Sequence, residues 1–393
     1  MSEYPSNWRI ADLGDVINKI TSGGTPKADN PLFYGGDIPF LKIDDITASS
    51  KYLTNHKNTI TELGLQESSA KIVPPGTLLL TMYGTIGECC ITTYPVATNQ
   101  AIACFLDHPE IDLNYLYYCL RGKAKEFSSA SSQTTQANIS ATILKQTSIA
   151  VPPLPEQKKI AEIISGVDNT IEKINSKKTK HQFLLQSMRQ DIFNEESANK
   201  CRFEQVVWER TLGTTRRGVG DGESIPLVKM GDIARGDIKF GENERIQDGD
   251  DLNELLLQRG DILFNTRNTP ALVGKTAIYD SGERCTYDNN LMRIRVAPNS
   301  DPWYLNHLMN SPQFLRLLTR ITAGTTSVAA IYWNDLRRVE IPLPPIKRQK
   351  QIAKSIQSVL SVIYDLSEEI CCLYELRNAL SSDLLSGRQR VSV

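Results

Sequence analysis

The 393 residues are 40% apolar and 23% charged, the balance of a globular chain long enough for two or three domains with cores of their own, which excludes disorder as its main theme. A formal net charge of -1 excludes a strongly basic protein that holds nucleic acid by charge alone. The eight cysteines, among them the adjacent pairs Cys89/Cys90 and Cys371/Cys372, show no C-x-x-C spacing and read as reduced core thiols.

From the start of the chain, Met1 to Lys19 carries Glu3, Asp12 and Asp15 where a signal peptide would be apolar, and no later run is long and uncharged enough to cross a bilayer. A cytoplasmic location is expected. A polar, glycine-containing string follows from Thr21 to Lys27, then Asp37-Ile38-Pro39-Phe40-Leu41-Lys42-Ile43-Asp44-Asp45-Ile46. Pro75-Gly76 turns the chain into the apolar run Leu78-Leu79-Leu80, the pattern of a buried strand. Asp112 stands where the N-cap of a helix belongs, ahead of Leu113-Asn114-Tyr115-Leu116. Pro152-Pro153-Leu154-Pro155-Glu156-Gln157-Lys158-Lys159-Ile160-Ala161 then ends the strand-like pattern and opens a helical stripe, since proline suits a helix's first turn.

The second half repeats the first. Ser224-Ile225-Pro226-Leu227-Val228-Lys229-Met230-Gly231-Asp232-Ile233 matches the string from Asp37, Arg259-Gly260-Asp261-Ile262-Leu263-Phe264 matches that from Pro75, and Asn289-Asn290 matches Asn99-Gln100. Asp301-Pro302-Trp303-Tyr304-Leu305 matches the helix start at Asp112, and Pro344-Pro345-Ile346-Lys347-Arg348-Gln349-Lys350-Gln351-Ile352-Ala353 stands 192 residues after the first proline cluster. The repeat divides the chain into a globular domain over residues 1–152, a helical arm over 153–198, a second globular domain over 199–343 and a second arm over 344–393.

Each arm carries an apolar seam at alternating steps of four and three. Ile160, Ile164, Val167, Ile171, Ile174, Lys178, His181, Leu185, Met188 and Ile192 form the first; Ile352, Ile356, Val359, Ile363, Leu366, Ile370, Leu373, Arg377, Leu380 and Leu384 hold the same register in the second. Such a heptad seam predicts that the two helices pair, as an antiparallel coiled coil. The 33 residues from Ile160 to Ile192 make a rod of roughly 50 Å, longer than one turn of DNA at about 34 Å. Lys178, His181 and Arg377 interrupt the seam, where polar residues fix register.

Between the matching strings lie loops that differ: Thr81 to Gly87 and Ser131 to Asn138 in the first half, Thr214 to Gly218, Asn265 to Thr269 and Thr322 to Ser327 in the second. Gln, Asn and Arg present paired hydrogen-bonding groups to base edges, while Thr, Ser and Lys suit phosphate. The candidate DNA contacts are therefore Thr25, Lys27, Thr81, Tyr83, Thr85, Gln133, Thr135, Gln136 and Asn138 in the first half. Arg216, Arg217, Asn265, Arg267, Asn268, Thr325, Thr326 and Ser327 are those of the second. Residues 1–150 hold nine lysines and two arginines, whereas residues 201–345 hold three lysines and 15 arginines, which suggests that the second half reads a more G-rich element.

No catalytic or metal-binding constellation is expected. Asn30-Pro31-Leu32-Phe33 lacks the second proline of an amino-methyltransferase loop, and Gly274-Lys275-Thr276 has Thr269 where a phosphate loop needs its first glycine. His56, His108, His181 and His307 are set far apart.

Ser22-Gly23-Gly24-Thr25-Pro26, Tyr34-Gly35-Gly36-Asp37-Ile38-Pro39-Phe40 and the string from Pro152 to Ala161, in this order and with the last duplicated, resemble the specificity subunits of type I restriction-modification systems over essentially the whole chain. The second copy departs in carrying Arg348 where the first has Glu156 and in lacking the Gly-Gly-Thr-Pro string. The resemblance implies an α+β fold: two repeated mixed α/β target-recognition domains separated by two long helices forming an antiparallel coiled coil with a pseudo-two-fold. It further implies a non-enzymatic host-defence subunit that reads a bipartite double-stranded DNA target with the helices setting the spacer. Its partners would be two modification (methyltransferase) subunits and up to two restriction (translocase/nuclease) subunits. Adenine methylation and cleavage, with S-adenosylmethionine, ATP and Mg, would belong to those partners, and this chain would hold no cofactor. The competing readings are a stand-alone DNA-binding regulator and a coiled-coil scaffold with no DNA role.

Overall fold

The computed structural model describes residues 4–131, 138–195, 198–241, 243–324 and 328–392. Two compact units emerge, one from residues 1–173 with 370–393, the other from residues 174–369. Each therefore holds one globular half and one end of each long helix.

In the first unit Arg9–Asp12 pairs antiparallel with Ser148–Val151 and joins the two ends of the globular half. Its strands are β1 (Lys19–Ser22), β2 (Tyr34–Leu41), β3 (Leu78–Thr81), β4 (Cys89–Ile91), β5 (Val96–Thr98) and β6 (Ile102–Leu106). An antiparallel sheet runs in the order β1-β6-β3-β4. In a second sheet β2 lies between Asn58–Ile60 and β5, the latter parallel with Phe40 opposite Ala97. The run at Leu78 is apolar throughout because both faces of β3 are covered. Leu78 and Leu80 join a core with Phe105, Tyr115 and Ile160, while Leu79 joins another with Leu41, Cys90 and Ile102, the alternation a strand imposes.

Helix α1 (Leu113–Gly122) is capped by Asp112, whose Oδ1 accepts the N–H groups of Asn114 and Tyr115 at 3.0 Å each. The Tyr115 hydroxyl donates to the Ala150 carbonyl at 3.0 Å. Helix α2 (Leu154–Asp191) begins at the proline cluster, and its buried Gln157 joins three segments. The Gln157 Oε1 accepts the Asp112 N–H at 2.8 Å, and Nε2 donates to the carbonyls of Glu110 (3.0 Å) and Pro152 (2.9 Å).

The second unit repeats this plan with β7 (Val207–Leu212), β8 (Ser224–Val228), β9 (Ile262–Asn265), β10 (Thr276–Ile278), β11 (Thr286–Tyr287) and β12 (Leu291–Val296). The sheet order is β7-β12-β9-β10, and β8 lies between Arg245–Gln247 and a parallel β11. Ile262 and Phe264 face one core and Leu263 another. Helix α3 (Pro302–Met309) is capped by Asp301, which accepts from the Tyr304 N–H at 2.9 Å, and the Tyr304 hydroxyl donates to Pro342 at 2.9 Å. At the start of α4 (Ile346–Leu385), Gln349 binds the Asp301 N–H, the Asn299 carbonyl and the Pro344 carbonyl at 2.8, 3.0 and 2.8 Å.

Within each unit the helices run antiparallel. In the first, Ile160 and Ile164 of early α2 share a core with Leu380 and Leu384 of late α4, and Arg377 pairs with Asp168 at 3.2 Å. In the second, Leu185, Met188 and Ile192 meet Ile352, Ile356 and Leu360. All twenty seam positions are buried or half-buried, Lys178, His181 and Arg377 included, while Phe183, Leu184 and Tyr364 off the seam are exposed. The architecture is α+β: two repeated mixed α/β units, each carrying an antiparallel pair of helix segments.

One departure between the copies has a local cause. Glu156 is buried and accepts from Trp8 Nε1 at 3.1 Å and from Arg390 at 2.7 and 3.0 Å. Arg348, at the matching place, is exposed and pairs with Glu195 at 2.9 Å.

Candidate nucleic-acid interface

In the first unit the polar strings converge beyond the C-terminal end of β3. Tyr83, exposed, forms an antiparallel backbone bridge with Asn138, and the Ile139 N–H donates to the Met82 carbonyl at 3.0 Å. Two strings far apart in sequence thus become neighbours. The third arrives from β1. At Gly23 a Cβ would lie 1.7 Å from the Thr98 carbonyl oxygen, so only glycine can pass there, and the Gly24 N–H donates to that carbonyl at 3.1 Å. This crossing places the Thr25 hydroxyl 2.6 Å from Gln100 Oε1. Thr85 meets Thr47 at 2.9 Å, on the short helix Ile43–Thr47 that follows β2. Lys27 and Lys42 are exposed, and among the described residues neither forms an ion pair.

The second unit brings the corresponding segments together with different side chains. Gly213 takes the place of Gly23: a Cβ there would lie 2.1 Å from the Tyr287 carbonyl, and the Thr214 N–H donates to it at 2.9 Å. The missing Gly-Gly-Thr-Pro string is therefore replaced in structure by Gly213-Thr214. Arg217 donates to the buried Asp288, and Arg216 to Asp251 at 2.6 Å and to the Gln247 carbonyl at 3.1 Å, along a cleft of about 500 Å³. The Asn290 carbonyl accepts from the Thr266 hydroxyl at 2.8 Å, and Arg267 lies across from Ala330 as Tyr83 does from Asn138. Asn268 Nδ2 approaches Met230 Sδ at 3.8 Å.

Two expected contacts are corrected. Thr81 is fully buried at the end of β3, its hydroxyl bound to the carbonyls of Thr85 and Glu88. Asn265, fully buried at the matching end of β9, turns its Oδ1 to the Arg267 N–H at 3.3 Å. Both are last residues of two-sided core strands, so they shape the following loop and cannot reach a duplex. Gln133, Thr135, Gln136, Thr325, Thr326 and Ser327 lie outside the described residues.

The arginine count also overstates the free charge of the second unit. Arg216, Arg217, Arg259, Arg284, Arg293 and Arg295 are all held by carboxylates, and Arg293 is buried with Tyr287 beneath its guanidinium at 5.9 Å. Burial works against the charge of Glu209, and hydrogen bonds from Arg295 and Arg293 outweigh it and hold its carboxyl below the usual range. Arg267 is exposed and makes no ion pair among the described residues.

Gln100, Thr47 and Asn290 belong to these edges and were absent from the sequence candidates. The signal was present in the Asn99-Gln100 and Asn289-Asn290 match, which reads equally well as framework. Among the described residues no three His, Cys, Asp or Glu side chains gather as a metal site, and no helix is long and apolar enough to cross a membrane. The first edge offers amide, hydroxyl and ammonium groups and the second adds guanidinium groups, all suited to base edges and phosphates, on a rigid sheet.

The profile of the type I restriction modification DNA specificity domain matches residues 5–181 and 221–370. The type I restriction enzyme MjaIX specificity subunit of Methanocaldococcus jannaschii is 24% identical, over 100% of this chain and 95% of its own. The EcoKI specificity subunit of Escherichia coli K12 is 22% identical, over 98% and 89%. Among solved structures, the S subunit of a type I restriction-modification system from M. genitalium matches with a TM-score of 0.60 at 13% identity, over 96% of each chain. A chain solved in work on complex assembly and conformational transition of the type I R-M system matches with a TM-score of 0.62 at 17% identity, over 97% of this chain and 98% of that one. These two share its fold.

Proposed function

This chain belongs to the type I restriction modification DNA specificity family, and from that premise we propose that each unit reads one part of a split DNA target. The chain is the DNA-recognition subunit of a type I complex, working with modification and restriction subunits. In our reading it bridges two modification subunits, and the paired long helices set the unread spacer between the parts. Tyr83, Thr85, Asn138, Thr25 and Gln100 serve the first part; Arg267, Asn268, Arg217 and Asn290 serve the second.

The observation that carries this reading is that both units gather corresponding strings at the same edge of the same sheet while the side chains there differ. Two copies of one scaffold with different reading groups suit two different short sequences. Catalysis belongs to the partner subunits, which also supply much of the positive surface that a near-neutral chain lacks.

The test is methylome sequencing of a host carrying the modification subunit, with and without this gene. A single bipartite adenine-methylated motif with a fixed spacer should appear only with the gene. If the assembled complex produces no new motif, the reading fails.

A further inference from the structure

The second unit holds cations that form no ion pair among the described residues. Arg189, near the end of α2, is half-buried, and among the described residues its guanidinium has neither a hydrogen bond nor an ion pair; its Nε is buried without a partner. Arg235 stands beside it, exposed and equally unpaired. At Gly236 an added Cβ would come within 3.1 Å of an Arg189 Nη. Burial first, and then the Arg235 charge, bring the Arg189 guanidinium down to about 10. Behind them His307 is buried, and among the described residues neither ring nitrogen has a hydrogen-bond partner.

The first unit resolves the corresponding place differently. Lys51 Nζ sits over the Tyr118 ring at 4.6 Å and donates to Ser165 at 2.8 Å, and Asp168 binds both the Tyr118 hydroxyl (2.7 Å) and Arg377 (3.2 Å). The positions matching Tyr118 and Asp168 by the repeat are His307 and Leu360, so the acid of the first copy is an apolar residue in the second. Two like charges in partly desolvated surroundings repel each other, and an anion between them removes that cost.

The site adjoins the reading edge. The Gly236 N–H donates to the Thr276 carbonyl at 2.8 Å in β10, and Lys275, the preceding residue, donates through Nζ to the Ile233 carbonyl at 3.4 Å. The Lys275 carbonyl in turn accepts the Asn265 N–H at 2.9 Å, at the end of β9 where Arg267 emerges. Lys275, Arg235 and Arg189 thus lead away from the reading edge, and among the described residues none of them forms an ion pair.

We propose that Lys275, Arg235 and Arg189 form a phosphodiester-binding track that grips the DNA backbone beside the bases read by the second unit. The proposal rests on the reading of this chain as a DNA-recognition subunit. Such contacts position the protein without reading sequence, so their loss weakens binding to all duplexes alike.

The test is a salt titration of duplex binding by this chain assembled with its modification subunits. Arg235→Gln is the main variant because its side chain is exposed; Arg189→Gln is the companion, and Arg235→Lys keeps the charge. Each Gln variant should flatten the plot of log affinity against log salt by about one unit, as for one lost phosphate contact, and leave the methylated motif unchanged. Arg235→Lys should keep the wild-type slope. An unchanged slope in Arg235→Gln overturns the track while the motif still stands. If Arg235→Gln instead blocks assembly and the complex that does form keeps its slope, the site takes a partner's carboxylate and the proposal also fails. Failure of the wild-type complex to prefer any sequence sinks the underlying reading, a result distinct from both.

Discussion

Arg377 donates through Nε to Asp168 at 3.2 Å across the helix pair of the first unit, and the same carboxylate accepts the Tyr118 hydroxyl at 2.7 Å. Asp168→Ala leaves the half-buried guanidinium in the seam without its partner. It should lower stability by about 2 kcal/mol, seen as a fall in the thermal midpoint. The double variant Asp168→Leu/Arg377→Leu removes both charges and should recover most of that loss. A double variant that loses as much as the single variants Asp168→Leu and Arg377→Leu added together would show that the pair contributes no coupling.

Gln157 and Gln349 make the same three hydrogen bonds in their respective units, all to main-chain groups of the segment before the helix and the loop before α1 or α3. Leucine fills a similar volume but bonds to none of them. Each stranded buried group costs about 1–3 kcal/mol, so Gln157→Leu or Gln349→Leu should lower stability by at least about 3 kcal/mol in denaturant titration. An exposed neighbour such as Lys350→Leu should stay near wild type, and a Gln349→Leu variant as stable as Lys350→Leu would refute the joint role.

These glutamines mark how far the sequence could be read. Their repeat was visible at 192 residues' separation, as was the seam, and the capping aspartates recur at 189, because strand burial, capping and heptad spacing each leave a local pattern. The loop strings were visible as polar segments. Their burial was not: Thr81 and Asn265 look like loop residues, yet the strand runs one residue further and seals them. The pairing of Tyr83 with Asn138, and of Thr25 with Gln100, depends on long-range strand order, which no local pattern encodes. Nor could arginine number reveal that Asp288 and Asp251 already hold Arg217 and Arg216.

His307 gives the second unit a pH dependence. Burial, and then the charge of Arg189, push its imidazole down to about 3 from the ordinary value of 6.5. The unfolded chain therefore takes up a proton below about 6.5 that the folded one refuses until about 3. Stability from this residue is complete above pH 6.5 and falls with pH at up to about 1.4 kcal/mol per unit. His307→Leu should remove that slope. Denaturant midpoints at pH 7.5 and pH 5.0 should separate wild type by about 2 kcal/mol more than the variant, and parallel losses in both proteins would rule out a histidine origin.

Tyr83 and Arg267 hold the same place in the two units, each exposed on the first loop beyond the central buried strand. If these edges read separate parts of the target, each substitution should affect one part alone. Arg267→Ala should relax discrimination in one half of the motif by about 1–3 kcal/mol, roughly tenfold for each 1.4 kcal/mol, while Tyr83→Ala should do so only in the other. Methylation of a randomised target library by the assembled complex measures both at once. Arg217→Ala would be the poorer probe, because it strands the buried Asp288 and lowers stability together with recognition. Arg267→Ala leaves no carboxylate behind, so a change in motif reports on reading itself. Should Tyr83→Ala and Arg267→Ala both leave the motif intact, or both blur the same half, the assignment of one edge to each part of the target is wrong.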